Sequence, residues 1–185
     1  MPVHVLVPVK RLDDAKSRLA EILSPPERAR LMEEMLAHVL AVVEQADVGP
    51  VTVVSAEPLA LNGVPRFDDG GLAWNDALAA AMGAVVEESV VAVIAGDLPL
   101  LQPEEVAALV EAVPERGIVI ARASDGGTNG VVMRPPGVLD THFGEGGSAA
   151  VHERAALAAG LAVVVVDLPG LAFDVDTPED LAAWR

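Results

Sequence analysis

The sequence predicts an α/β fold: a mostly parallel, twisted sheet flanked by helices, within a single domain covering residues 1–185. Three observations lead there. Short apolar runs rich in β-branched residues alternate with longer segments of helical spacing, as in strand–helix–strand units joined by right-handed crossovers. Apolar residues make up 52% of the chain and are chiefly alanine, valine and leucine. With aromatics at only 3%, that suits helices packed on buried parallel strands. A length of 185 residues fits one domain with a full core.

The elements follow in order. VHVLVPV (3–9) is apolar and β-branched, hence a buried strand. Ser24, Pro25 and Glu27 supply an N-cap, a first-turn proline and a capping glutamate for a helix reaching about Ala46, with Leu31, Met35, Val39 and Val42 on one face. Gly49-Pro50 ends it, and VTVVS (51–55) is the second strand. VPRF (64–67) is a short strand candidate within a glycine- and proline-rich stretch, and Asn75 to Val86 reads as helix. VVAVIAGD (90–97) is a third buried strand. Helix 103–113, strand 117–121, a glycine turn, strand NGVVM, helix 148–159 and strand 161–167 follow. Thr177-Pro178-Glu179-Asp180 opens a final short helix. In such sheets ligands bind beyond the carboxyl ends of the strands, here after residues 9, 55, 95, 121 and 166.

Composition removes several function classes. The formal charge of −16, from 12 basic against 28 acidic residues, opposes binding to nucleic acid or to an anionic membrane surface. No apolar run is long enough to span a bilayer, and the N-terminus lacks the order of a signal peptide, so a cytoplasmic location is expected. The absence of cysteine excludes disulfides and thiolate metal sites.

Against that acidity, Lys10, Arg11, Lys16 and Arg18 gather just after the first strand and include both lysines of the chain. There is no GxxxxGK[ST] loop, but lysine charges and an arginine fork can hold phosphates without one. The alternative is a solvated loop paired with Asp13 and Asp14. Asp97, in AGDLPLL, follows the third long strand, with Gly96 expected to permit a tight turn. In FDVDTPEDL, Asp174 and Asp176 alternate along an extended segment and so share a face. Three carboxylates without cysteine or paired histidine make an oxygen-only site suited to Mg²⁺. Turn formation by Asp97, and helix-start charges at Asp176 and Asp180, are the competing readings. DDGGLAWNDAL (68–78) and FGEGGSAA (143–150) each set glycines before a helix, as ligand-binding loops or as plain caps. The four histidines have no evident partners, and no nucleophile–base relay is visible.

Taken together, V-P-V-K-x-L-x-x-A-K-S-R-L, N-x-A-L after a glycine pair, G-D-L-P-L-L and D-V-D-T-P-E-D-L occur in the order of one family. The whole chain resembles the phosphoenolpyruvate and 2-phospho-L-lactate guanylyltransferases of coenzyme F(420) biosynthesis. The resemblance implies a nucleotide-diphospho-sugar transferase-like, Rossmann-like fold. It also implies condensation of GTP with phosphoenolpyruvate, or alternatively 2-phospho-L-lactate, releasing pyrophosphate. By the same motifs Asp97, Asp174 and Asp176 would hold Mg²⁺, and Thr128, Gly144 and Ser148 the acid substrate. Lys10, Lys16, Ser17 and Arg18 would meet the triphosphate, and Gly71 and Asn75 the nucleoside, with Lys16, Arg18 and Asp97 catalytic. FGEGGS is one residue longer than the family's F-G-x-x-S. An activated product implies hand-off to a downstream transferase. A nucleotidyltransferase for another small phosphate and a non-catalytic nucleotide sensor are the other readings.

Overall fold

The computed structural model describes residues 2–9, 16–59, 61, 63–85 and 89–185. The strands are β1 (Val3–Pro8), β2 (Val51–Val54), β3 (Arg66–Phe67), β4 (Val90–Ile94), β5 (Gly117–Arg122), β6 (Thr128–Arg134) and β7 (Ala162–Val166). They form one seven-stranded sheet in the order β3-β2-β1-β4-β6-β5-β7. The helices are α1 (Pro25–Ala46), α2 (Trp74–Ala84), α3 (Pro103–Glu111), α4 (Ser148–Ala158), α5 (Pro169–Ala172) and α6 (Pro178–Trp184), with a 3-10 turn at Ser17–Leu19. Among the described residues no helix is long and apolar enough to cross a membrane.

Strand alternation divides the core in two. Val5, Val7, Ala92, Ile94, Val119 and Ala121 face one layer, where they meet Met35 and Val39 of α1 and Val106 and Leu109 of α3. Leu6, Val91, Val93, Ile118 and Ile120 face the other, against Leu78 and Met82 of α2 and Ala149 and Ala156 of α4. Both faces of the sheet are therefore covered, which explains the continuous apolar runs. α1 starts where the sequence places it, because the Glu27 carboxylate accepts both the Ser24 backbone N–H at 2.8 Å and the Ser24 hydroxyl at 2.5 Å.

The structure departs from expectation in three places. β6 is antiparallel to both of its neighbours, β4 and β5, whereas every other pairing is parallel. Its first residues thus lie at the same sheet edge as the carboxyl ends of the other strands. The β5–β6 register also slips: Ala121 pairs with Gly130 but Arg122 pairs with Thr128, leaving Asn129 as the extra residue of a β-bulge. Finally, β4 ends at Ile94, so that 95–97 turn out of the sheet, and α2 stops at Ala84. Val86, where the helix was expected to end, lies outside the described residues.

Met35 is fully buried at the centre of α1. Met35→Ala should lower the unfolding free energy by about 2–5 kcal/mol, through lost apolar contact and the cavity left behind. Urea titration followed by circular dichroism measures this, and a loss under about 0.5 kcal/mol would show that α1 is not packed as described.

Candidate functional site

The loops at the carboxyl edge bring the predicted acidic residues together. Asp97 follows β4, and Asp174 and Asp176 follow α5; one carboxylate oxygen from each lies within 4.8 Å of the other two. Val175, between the latter two, is fully buried, so its neighbours turn to the opposite side. Lys16 completes the cluster: its Nζ donates to Asp97 Oδ2 and, at 2.9 Å, to Asp176 Oδ1. These partners lie 81 and 160 residues away in sequence. Arg18, largely exposed, stands 3.6 Å from Asp176 Oδ2.

Local backbone geometry builds this arrangement. Lys16 adopts the left-handed conformation (φ 54°, ψ 39°), rare for a residue with a Cβ, as the chain enters the 3-10 turn. Gly96 sits at the bend where the chain leaves β4, as expected, although it is not left-handed. A Cβ there would meet Leu36, Met32 and the Pro8 carbonyl at 3.4 Å, about ordinary van der Waals contact. Asp180 takes the helix-cap role that had been open to either aspartate. Its Oδ2 accepts the backbone N–H groups of Asp176 and Thr177, at 3.1 and 2.7 Å, and fixes the segment that presents Asp176.

Charge in the cluster does not balance: three carboxylates face two cations. Burial pushes the Asp174 carboxyl up to about 6. A hydrogen bond from Asn129 opposes the shift, and the charges of Asp97 and Asp176 add to it. Burial alone would lower the Lys16 ammonium. The charges of Asp97 and Asp176, with the hydrogen bonds to both, outweigh it and leave Lys16 above its ordinary value. The ammonium here stands where a cation bridging two carboxylates would stand. Oxygens on opposite sides of one hard divalent ion lie about 4–5 Å apart, so the three carboxylates fit such an ion.

Beside the acidic cluster lies a neutral polar one. Thr128, at the start of β6, and Ser148, at the start of α4, bring their hydroxyls to 3.0 Å. His152, fully buried, lies beneath both: Nδ1 is 2.9 Å from the Ser148 carbonyl and 3.2 Å from Thr128 Oγ1, and Nε2 accepts the His142 backbone N–H at 2.9 Å. Sequence reading dismissed this histidine. Its only local signal is the i, i+4 spacing to Ser148 on one helix face. Asn129 was also missed as a contributor. Its Nδ2 donates to Asp174 Oδ1 at 3.1 Å and to the Leu171 carbonyl at 3.0 Å, holding the carboxylate in place.

The remaining candidates divide. Asn75 is engaged by protein: its amide accepts the Phe143 N–H at 3.0 Å and donates to the Phe143 carbonyl at 3.2 Å, clamping the loop that carries Gly144. Gly71 is left-handed (φ 78°), and its N–H is taken by Asp69 Oδ1 at 2.8 Å. Gly144 (φ 81°) and Ser17 are exposed on their loops. Lys10, with Arg11, Asp13 and Asp14, lies outside the described residues. Among the described residues, the Thr141 hydroxyl of the 141–148 loop is buried without a hydrogen-bond partner.

Known proteins agree with this architecture. A family model described as guanylyl transferase CofC like matches residues 3–184. A phosphoenolpyruvate guanylyltransferase of Rubrobacter xylanophilus is 41% identical over 191 residues, covering 98% of this chain and 93% of its own. A 2-phospho-L-lactate guanylyltransferase of Haloarcula marismortui is 39% identical over 170 residues, covering 90% and 78%. A nucleotidyl transferase from Methanothermobacter superposes with a TM-score of 0.69 at 16% identity, covering 100% of this chain and 96% of that one. A Mycobacterium tuberculosis protein in complex with manganese gives 0.63 at 18%, covering 100% and 97%.

A raised carboxyl pKa favours the folded state only while protonated. As pH rises from the ordinary carboxylate range through about 6, the unfolded chain ionises first and the folded chain loses stability. A divalent cation on the cluster should offset that loss. The melting-temperature gain from added Mg²⁺ or Mn²⁺ should therefore be larger near pH ~7.5 than near pH ~5. Asp174→Asn should raise the metal-free melting temperature near pH ~7.5 and remove the pH dependence of the gain. A gain of equal size at both pH values would contradict the assignment.

Proposed function

Because the chain belongs to the CofC-like guanylyl transferase family, we propose that it condenses GTP with phosphoenolpyruvate, giving enolpyruvoyl-2-diphospho-5'-guanosine and pyrophosphate in coenzyme F(420) biosynthesis. The observation that carries this reading is the meeting of Lys16 with Asp97 and Asp176 at one sheet edge, which joins a phosphate-binding cation to carboxylates that can hold a metal. 2-Phospho-L-lactate is the alternative acceptor, in line with the Haloarcula relative.

The chemistry asks little of the protein in proton transfer. The acceptor phosphate, with a second pKa near ~6, is largely a dianion at neutral pH. One of its oxygens attacks the α-phosphorus of GTP. A new phosphorus–oxygen bond forms, the bond to the β-phosphate bridging oxygen breaks, and pyrophosphate leaves with the electron pair. No base is needed. The obstacle is repulsion between two anions, together with in-line placement.

Lys16 and Arg18 lower that repulsion and bind the departing pyrophosphate, with Lys10 and Ser17 as further triphosphate contacts. Asp97, Asp174 and Asp176 would hold Mg²⁺, which when bound supplies charge neutralisation at the transferring phosphorus. Thr128, Ser148 and the Gly144 backbone receive the acid. Gly71 borders the nucleoside, and Asn75 serves it through the Phe143 loop.

The test is pyrophosphate release from GTP and Mg²⁺ with phosphoenolpyruvate, 2-phospho-L-lactate or no acceptor. Release should require phosphoenolpyruvate. Asp97→Asn should reduce kcat at least about 100-fold with an unchanged circular dichroism spectrum, as losing one electrostatic partner of a transition state does elsewhere. Lys16→Ala should act mainly on the nucleotide step. Full activity in both variants would remove the site from this cluster.

A further inference from the structure

The buried cluster under Thr128 and Ser148 has a hydrogen-bond direction that can be worked out atom by atom. A backbone N–H can only donate, so the His142 amide, 2.9 Å from His152 Nε2, requires Nε2 to be an acceptor. The ring proton therefore resides on Nδ1. A carbonyl can only accept, and Nδ1 is 2.9 Å from the Ser148 carbonyl, so both ends of the ring agree. Nδ1 then has no lone pair to offer Thr128 Oγ1 at 3.2 Å, and the threonine hydrogen cannot point there. The two hydroxyls, 3.0 Å apart, use one O–H for their mutual bond. The other O–H has no acceptor among the described residues.

We propose that His152 is a positioning residue which, through its Nδ1–H tautomer, leaves the buried Thr128–Ser148 pair with one hydrogen-bond donor free for an anionic oxygen of the acceptor substrate. The inference rests on the assignment of the acid substrate to Thr128 and Ser148. It goes beyond that assignment by naming what sets the polarity of the pair. If either ring nitrogen were reversed, the pair would face a lone pair instead of a donor, and the free hydrogen would turn inward.

The surroundings keep the ring as it is. His152 lies edge-on to Phe143 and to His142, with centroids 5.4 and 5.5 Å away. Burial pushes its pKa down to about 4. The Ser148 carbonyl and Glu145 oppose this shift, and the nearby His142 adds to it. An imidazolium would set an Nε2–H against the His142 N–H, two donors face to face, so the loop closes only on the neutral ring. Asn75 holds the same loop from α2 through Phe143. His152 thus joins β6, the first turn of α4 and the 141–148 loop at one atom set.

The experiment pairs nitrogen-15 NMR of the intact chain with steady-state kinetics of His152→Leu, His152→Asn and the wild type. His152 should appear as the Nδ1–H tautomer at neutral pH. His152→Leu should raise the acceptor KM about tenfold, the worth of one hydrogen bond to a charged group, and leave the GTP KM within about twofold. His152→Asn, which keeps a donor near the Nδ1 position, should recover part of the loss. In a Thr128→Val background, His152→Asn should add nothing further. An Nε2–H tautomer, or equal rises in both KM values, would overturn the role. If the tautomer is right but the wild type shows no acceptor-dependent release, the functional assignment itself falls, and the positioning role with it.

Discussion

Everything at the carboxyl edge is organised by the need to place positive charge among three aspartates. Asp97, Asp174 and Asp176 come from two loops far apart in sequence and could not share so small a volume uncompensated. Lys16 supplies part of the answer, and its left-handed backbone shows that the chain accepts local strain to bring the ammonium there. Asp174 carries the strain of this arrangement: burial first, and then the charges of Asp97 and Asp176, raise its affinity for a proton. A site so arranged is ready for an ion, or for a ligand that brings its own.

Lys16 is paired with two of the carboxylates, so any ligand for the ammonium or for the carboxylates must compete with those ion pairs. Arg18, exposed and 3.6 Å from Asp176, adds a second cation to the same edge. The formal charge of −16 on the whole chain disfavours anions away from such local cations.

Much of this was legible in the sequence. Valine-rich runs and capped helices gave the architecture. The aspartates were readable because each sits where a strand or extended segment stops, at the edge where α/β sheets bind ligands. What the sequence hid was pairwise. Nothing local to TNGVVM says that β6 runs against its neighbours or carries an extra residue. Asn129 acts on Asp174 45 residues away, Asn75 was marked but its Phe143 partner was not, and His152 leaves only its i, i+4 spacing to Ser148. Gly96 was readable as the bend that carries the chain from β4 to Asp97.

The bulge at Asn129 has a consequence for how this chain can vary. Thr128 and Asn129 are adjacent in sequence yet serve opposite layers, the first toward α4 and the second toward α5 and Asp174. One peptide unit therefore sets the offset between the Thr128–Ser148 hydroxyls and the carboxylate cluster. The 135–147 loop, which joins β6 to α4, can gain or lose residues because its ends are held independently. The start of β6 cannot: removing Asn129 would put Thr128 in its place, facing α5 instead of α4, and leave Ser148 without its hydroxyl partner. Length polymorphism among relatives should accordingly gather in that loop and stop at Thr128.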